Sequence, residues 1–160
     1  MTRTHIAALI GLVVAIPAAA AGSFFAASDK PCLIDGASGY RITDSASADV
    51  TVRVDIANAA AKPDLRMQLV DDAAAADFVL VDDADTVNAC TGAAAVRSIR
   101  LDPEAANADL TVALSRRPAD YKIYVRSASF SRQDAAALFA VIWQNAGMTA
   151  GSRREFAARN

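Results

Sequence analysis

The sequence has almost no histidine. His5 is the only one, and it precedes every segment with the pattern of a folded domain. The rest of the chain therefore cannot carry Ser-His-Asp or Cys-His catalysis, or a zinc site built on imidazole. Cysteine is limited to Cys32 and Cys90, too few for a zinc ribbon. Glutamate is limited to Glu104 and Glu155. The seven glycines form neither G-x-G-x-x-G nor a Walker sequence, so no glycine-rich phosphate loop is encoded. Lysine is also scarce: arginine makes up most of the sixteen basic residues. They are scattered, and the formal net charge is −2. A mildly acidic chain of this kind lacks the footprint of a nucleic-acid binder and the basic cluster that holds anionic lipid.

What the chain does have begins with a long uncharged run. Ile6 to Ala27 contains no charged residue and follows Arg3. Twenty-two such residues are long enough to span a bilayer as a helix. Two readings stand side by side. In one, residues 1–27 hold a signal peptide, with Pro17 ending the apolar stretch and Ala19-Ala20-Ala21 supplying small residues for cleavage before Gly22. In the other, the run is an uncleaved anchor that continues through Phe24 and Phe25. Both place the following domain in the periplasm, either free or tethered to the inner membrane. Cys32 and Cys90 then read as a disulfide, because an even cysteine count in an oxidising compartment is read first as a bridge.

The remainder divides into a connector at 28–49, an α/β domain at 50–147 and a tail at 148–160. Val50, Val52, Val54 and Ile56 alternate with polar residues, as do Leu65, Met67 and Leu69, which is the period of half-buried strands. Phe78-Val79-Leu80-Val81 is an unbroken apolar run, as expected of a strand covered on both faces. Val96 to Leu101 adds a weaker strand. Leu110–Leu114 and Tyr121–Val125 read as a hairpin across Arg116–Asp120. Ser131 with Asp134 resembles a capping box. It opens a helix whose apolar face is Ala135, Leu138, Phe139, Ile142, Trp143 and Ala146, and Gly147 stops it. The expected fold is α+β in two layers. A five- to six-stranded mixed or antiparallel sheet carries one long C-terminal helix, behind an N-terminal hydrophobic helix.

Three groups of side chains are candidates for chemistry. Asp71, Asp72, Asp82, Asp83 and Asp85 crowd two strand ends and could hold a hard cation through oxygen ligands. They lack the Asp-x-Asp-x-Asp-Gly loop, and aspartate also serves as an ordinary turn and cap residue. Arg97, Arg100, Arg116, Arg117 and Arg126 could grip an anion if they converged, although strand alternation argues against one shared face. Lys122, Tyr124 and Arg126 carry the composition of a protein interface. Glu104 and Glu155 are the only glutamates for a carboxylate-based cell-wall hydrolase.

The stretches Ala76-Asp77-Phe78-Val79-Leu80-Val81-Asp82-Asp83 and Tyr121-Lys122-Ile123-Tyr124-Val125-Arg126-Ser127 resemble segments of small, uncharacterised envelope proteins of alphaproteobacteria. The resemblance spans about residues 32 to 146. It implies export and a short α/β domain, and it carries no catalytic residue, metal or cofactor to any position. The expectation is thus a non-catalytic binding protein of the cell envelope, with envelope proteins as partners and no cofactor. A cation- or small-ligand-binding module is the alternative, and a hydrolase stands behind it.

Overall fold

The computed structural model describes residues 31–56, 62–82, 90–147 and 154–157. The hydrophobic run at 6–27 lies outside them. Among the described residues no helix is long and apolar enough to cross a membrane.

Among the described residues the sheet has nine strands, which overturns the expected five or six. They are β1 (Leu33–Asp35), β2 (Ser38–Ile42), β3 (Val50–Ile56), β4 (Leu65–Leu69), β5 (Phe78–Asp82), β6 (Ala95–Leu101), β7 (Leu110–Ser115), β8 (Tyr121–Ser127) and β9 (Arg154–Ala157). Their spatial order is β1-β2-β6-β3-β7-β4-β8-β5-β9. Among the described strands only β1 and β2 pair antiparallel, and every other pair is parallel. Residues 33–42, read as connector, thus form a hairpin turning at Gly36 (φ 60°). Part of the stretch read as tail pairs with β5. The expected β7–β8 hairpin does not form, because β4 lies between the two strands and all three run parallel.

The strands interleave. Those from the first half of the chain (β2, β3, β4, β5) alternate with those from the second (β6, β7, β8, β9). Parallel neighbours usually need a helical crossover to carry the chain back to the starting edge. Stagger removes that need here. Met67 lies beside both Leu114, near the end of β7, and Tyr121, the first residue of β8. The chain leaving β7 therefore only steps sideways over one strand. That is about 10 Å, within reach of five extended residues. Ile99 lies beside both Ile42, which ends β2, and Val50, which begins β3, so that link works the same way. A short loop between apolar runs looks like a hairpin in sequence because loop length alone does not reveal stagger.

Aspartates mark the stagger. Five strands open with Ala or Pro, then Asp, then an apolar residue: Asp49-Val50, Asp64-Leu65, Asp77-Phe78, Asp109-Leu110 and Asp120-Tyr121. The Thr51 N–H donates to the Asp109 carboxylate at 2.7 Å, and the Asp109 N–H donates back to the Thr51 carbonyl at 2.9 Å. Asp64 and Thr111 repeat the exchange at 2.7 and 2.8 Å, and Asp77 and Lys122 at 2.8 Å in both directions. Asp49 accepts from both the N–H and the hydroxyl of Ser98, each at 2.7 Å. At each place the incoming chain turns too late to offer a carbonyl to its neighbour's N–H. The carboxylate replaces that carbonyl, so the exposed ladder end stays satisfied. The aspartate of one strand clips the residue two places after the aspartate of the next, as in Asp64 on Thr111 and Asp109 on Thr51. Adjacent strands are thereby offset by two residues, which keeps every apolar set on the same face.

The staggered sheet curls into a half-barrel with α1 (Arg132–Ala146) against it. The capping box forms: the Asp134 N–H donates to Ser131 Oγ at 3.1 Å and the Ser131 N–H to Asp134 at 2.7 Å. Gly147 adopts the left-handed conformation (φ 55°, ψ 36°) and its N–H returns to the Trp143 carbonyl. Burial is unbroken from Asp134 to Ile142. A helix on a flat sheet would bury only one stripe, so α1 is enclosed rather than laid on a surface. Alanines at 135, 136, 137 and 140 are all buried, and their small side chains permit close approach. Phe139 packs on Phe78 at 4.8 Å with the rings tilted by 38° and meets Tyr121 edge-on at 5.4 Å. The Trp143 indole N–H donates to the Tyr121 hydroxyl at 2.8 Å, which gives both polar tips a partner.

Candidate functional site

The expected disulfide is present. Cys32 and Cys90 are bonded, with Cα atoms 5.2 Å apart. The bridge packs on Gly39 in β2. A Cβ there would meet Cys32 Sγ and Ala93 Cβ at 3.1 Å and Cys90 Sγ at 3.3 Å. The glycine is thus required by close approach.

The aspartate cluster divides. Asp71 bonds Arg116 at 2.8 Å, and the Arg116 guanidinium holds its carboxyl below the usual carboxylate range. Asp72 caps a 3-10 turn at Ala73–Ala75 by accepting from the Ala74 N–H at 2.9 Å. Asp77 is taken up by its clip to Lys122. Asp82 ends β5, while Asp83 and Asp85 lie outside the described residues. Among the described residues no three metal-ligating side chains cluster. Glu104 follows β6 and Glu155 lies in β9, six positions away in the sheet order.

Lys122, Tyr124 and Arg126 are alternate residues of β8, so they share the sheet face opposite to Tyr121 and Ile123, which are buried in the core. The five arginines do not converge. Arg97 bonds Asn145 at 2.6 Å and Arg100 bonds Asp102 at 2.6 Å, at the β6 side of the sheet. Arg116 and Arg117 sit after β7 and meet a third arginine, Arg132, from the first turn of α1.

These three arginines rim a groove of about 600 Å³. Ile56, Leu114 and Leu69, from the carboxyl ends of β3, β7 and β4, line it with apolar surface. Ser115 and Gln133 complete the rim. Ile56 is 61% exposed, an unusual place for a large aliphatic side chain at the end of a buried strand. The stagger creates the site. It brings three strands to an end within two residues of one another, beside the start of α1, where ligand crevices of parallel sheets form. Arg116 is engaged by Asp71, whereas the Arg117 and Arg132 side chains make no hydrogen bond or ion pair among the described residues.

No protein family, curated protein or solved structure matches the chain.

Sequence reasoning missed Arg132, Gln133 and the apolar floor. One signal was available. A cation in the first turn of a helix opposes the helix dipole, so Arg132 just after the Ser131 cap stands out there, beside the acidic Asp134 of the same turn.

Proposed function

We propose that this chain is an exported, non-catalytic binding domain of the cell envelope. In this reading it is free in the periplasm after loss of its first residues, or held there by an uncleaved N-terminal span. The groove carries the reading. Its polar lining is guanidinium, amide and hydroxyl, groups that bind and orient but do not exchange protons near neutral pH. Its apolar floor is exposed at Ile56 and lies beside Arg117 and Arg132, whose side chains make no hydrogen bond or ion pair among the described residues, a combination enriched where proteins hold ligands and partners. The disulfide supports passage through an oxidising compartment.

The test is site-specific photocrosslinking in cells, with the reactive side chain placed at Gln133 in the groove or at Arg66 on the opposite sheet face. A discrete adduct from Gln133, absent from Arg66 and lost with Ile56→Asp, is the expected result. Equal adducts from both faces, or none, would overturn the reading. Ile56 is exposed, so the substitution leaves the core intact. Intact mass from the envelope fraction tests the export half: loss of about 21 residues marks cleavage, and a full-length mass marks a tether.

A further inference from the structure

We infer that the groove takes an alkyl phosphate monoester, with its dianionic head between Arg117 and Arg132 and its chain along Ile56, Leu69 and Leu114. The inference rests on the groove being the binding face, and it adds the chemistry of what is bound.

Charge is the first reason. Three guanidiniums rim the groove, and the Asp71 carboxylate bonded to Arg116 leaves two positive charges uncompensated. A phosphate monoester carries about −1.5 to −2 at neutral pH and matches both. A carboxylate would leave one guanidinium without a partner. Geometry is the second. Guanidinium presents a planar fork of donors that fits phosphate oxygens in pairs, and Arg117 and Arg132 make no hydrogen bond or ion pair among the described residues, although the Asp71 carboxylate acts on Arg132 through space. Arg132 also stands in the first turn of a 15-residue helix, where its own charge adds to the positive end of the dipole. The capping Asp134 carboxylate already lies in that turn, and an anion at the rim adds to it beside Arg132.

The floor supplies the third reason. Inorganic phosphate would satisfy the arginines and leave exposed Ile56 and half-buried Leu69 facing water, over a floor closed by buried Leu114. The three side chains come from β3, β4 and the strand between them, so the apolar strip runs about 10 Å across the sheet. A volume of about 600 Å³ suits a ligand larger than a bare oxyanion. An aliphatic chain joined to the head covers that strip while the head stays at the rim.

Calorimetry on the purified full chain at neutral pH, with octyl phosphate as probe, tests this. Octyl phosphate binds saturably, while octanol and inorganic phosphate each bind at least tenfold more weakly. Arg117→Gln with Arg132→Gln weakens octyl phosphate at least tenfold, as does Ile56→Asp, and Arg97→Gln leaves it unchanged. Octanoate binding as tightly as octyl phosphate would overturn the dianion argument. Inorganic phosphate binding as tightly would remove the role of the chain. Affinity unaffected by the groove substitutions would place the ligand elsewhere. No octyl phosphate binding, with the Gln133 photoadduct still formed, would reject this ligand class and leave the groove as the binding face. Loss of both would reject both.

Discussion

Removing one aspartate clip tests how the fold is registered. Asp109→Ala leaves the Thr51 N–H without the acceptor it meets at 2.7 Å. That hydrogen bond is charge-assisted, which places it at the strong end, but the site is solvent-exposed, so water takes over part of the role. The net loss is about 1 kcal/mol. For a domain of this size that is a fall in Tm of about 3–5 °C. Asp64→Ala does the same to Thr111 on the opposite side of β7. Both together cost about 2 kcal/mol if the two clips act independently. Asp109→Asn keeps a carbonyl oxygen in place and recovers most of the loss. Asp109→Glu does not, because the longer side chain overshoots the N–H. Thermal melts of the five variants decide it. If both alanine variants melt within 1 °C of the parent, the clips do not hold the ladder ends and the register must be set by core packing alone.

Three further outcomes follow from other contacts. The Ser98 N–H and hydroxyl hold the Asp49 carboxyl below its ordinary value of 3.8. Its contribution to stability is therefore full above that value and is lost as pH falls through the lower folded pKa. Urea midpoints of the parent and Asp49→Asn should differ at pH 6 and converge near pH 2; a pH-independent gap would refute this. Reducing the Cys32–Cys90 bridge removes a cross-link over 58 residues and destabilises by about 4 kcal/mol in the chain-entropy account, read from denaturant midpoints with and without reductant, and intact mass should rise by two hydrogen atoms. Gly39→Ala drives a methyl into two sulfurs and Ala93 Cβ at 3.1–3.3 Å, costing about 1–3 kcal/mol in a thermal melt, whereas Gly92→Ala, with open space around it but a φ of +93°, is destabilised through backbone strain alone.

Local pattern determined much of this protein. The alternation at Val50–Ile56 and Leu65–Leu69 marks strands because period two separates buried from solvated side chains, and both strands form. Ser131, Asp134 and Gly147 define the helix from neighbours within one turn, and the two cysteines pair. The repeated Asp followed by an apolar residue was also present in the chain, but its meaning is not local. An aspartate before a strand could cap a turn as well as clip a neighbour, and only the partner at Thr51, Thr111 or Lys122 tells which.

Tertiary structure alone decided strand order, direction and site. Arg116–Asp120 links two apolar runs in five residues whether they form a hairpin or parallel strands with a third between them. The difference lies in β4, which is more than forty residues away in sequence. The same stagger sets Ile56 beside Leu114 with Leu69 two residues further along β4, and it puts Arg117 and Arg132 on the rim of one groove. No spacing in the chain encodes that meeting. Periodicity reports which face of an element is buried, whereas a site at strand ends depends on how far each strand slides past its neighbour.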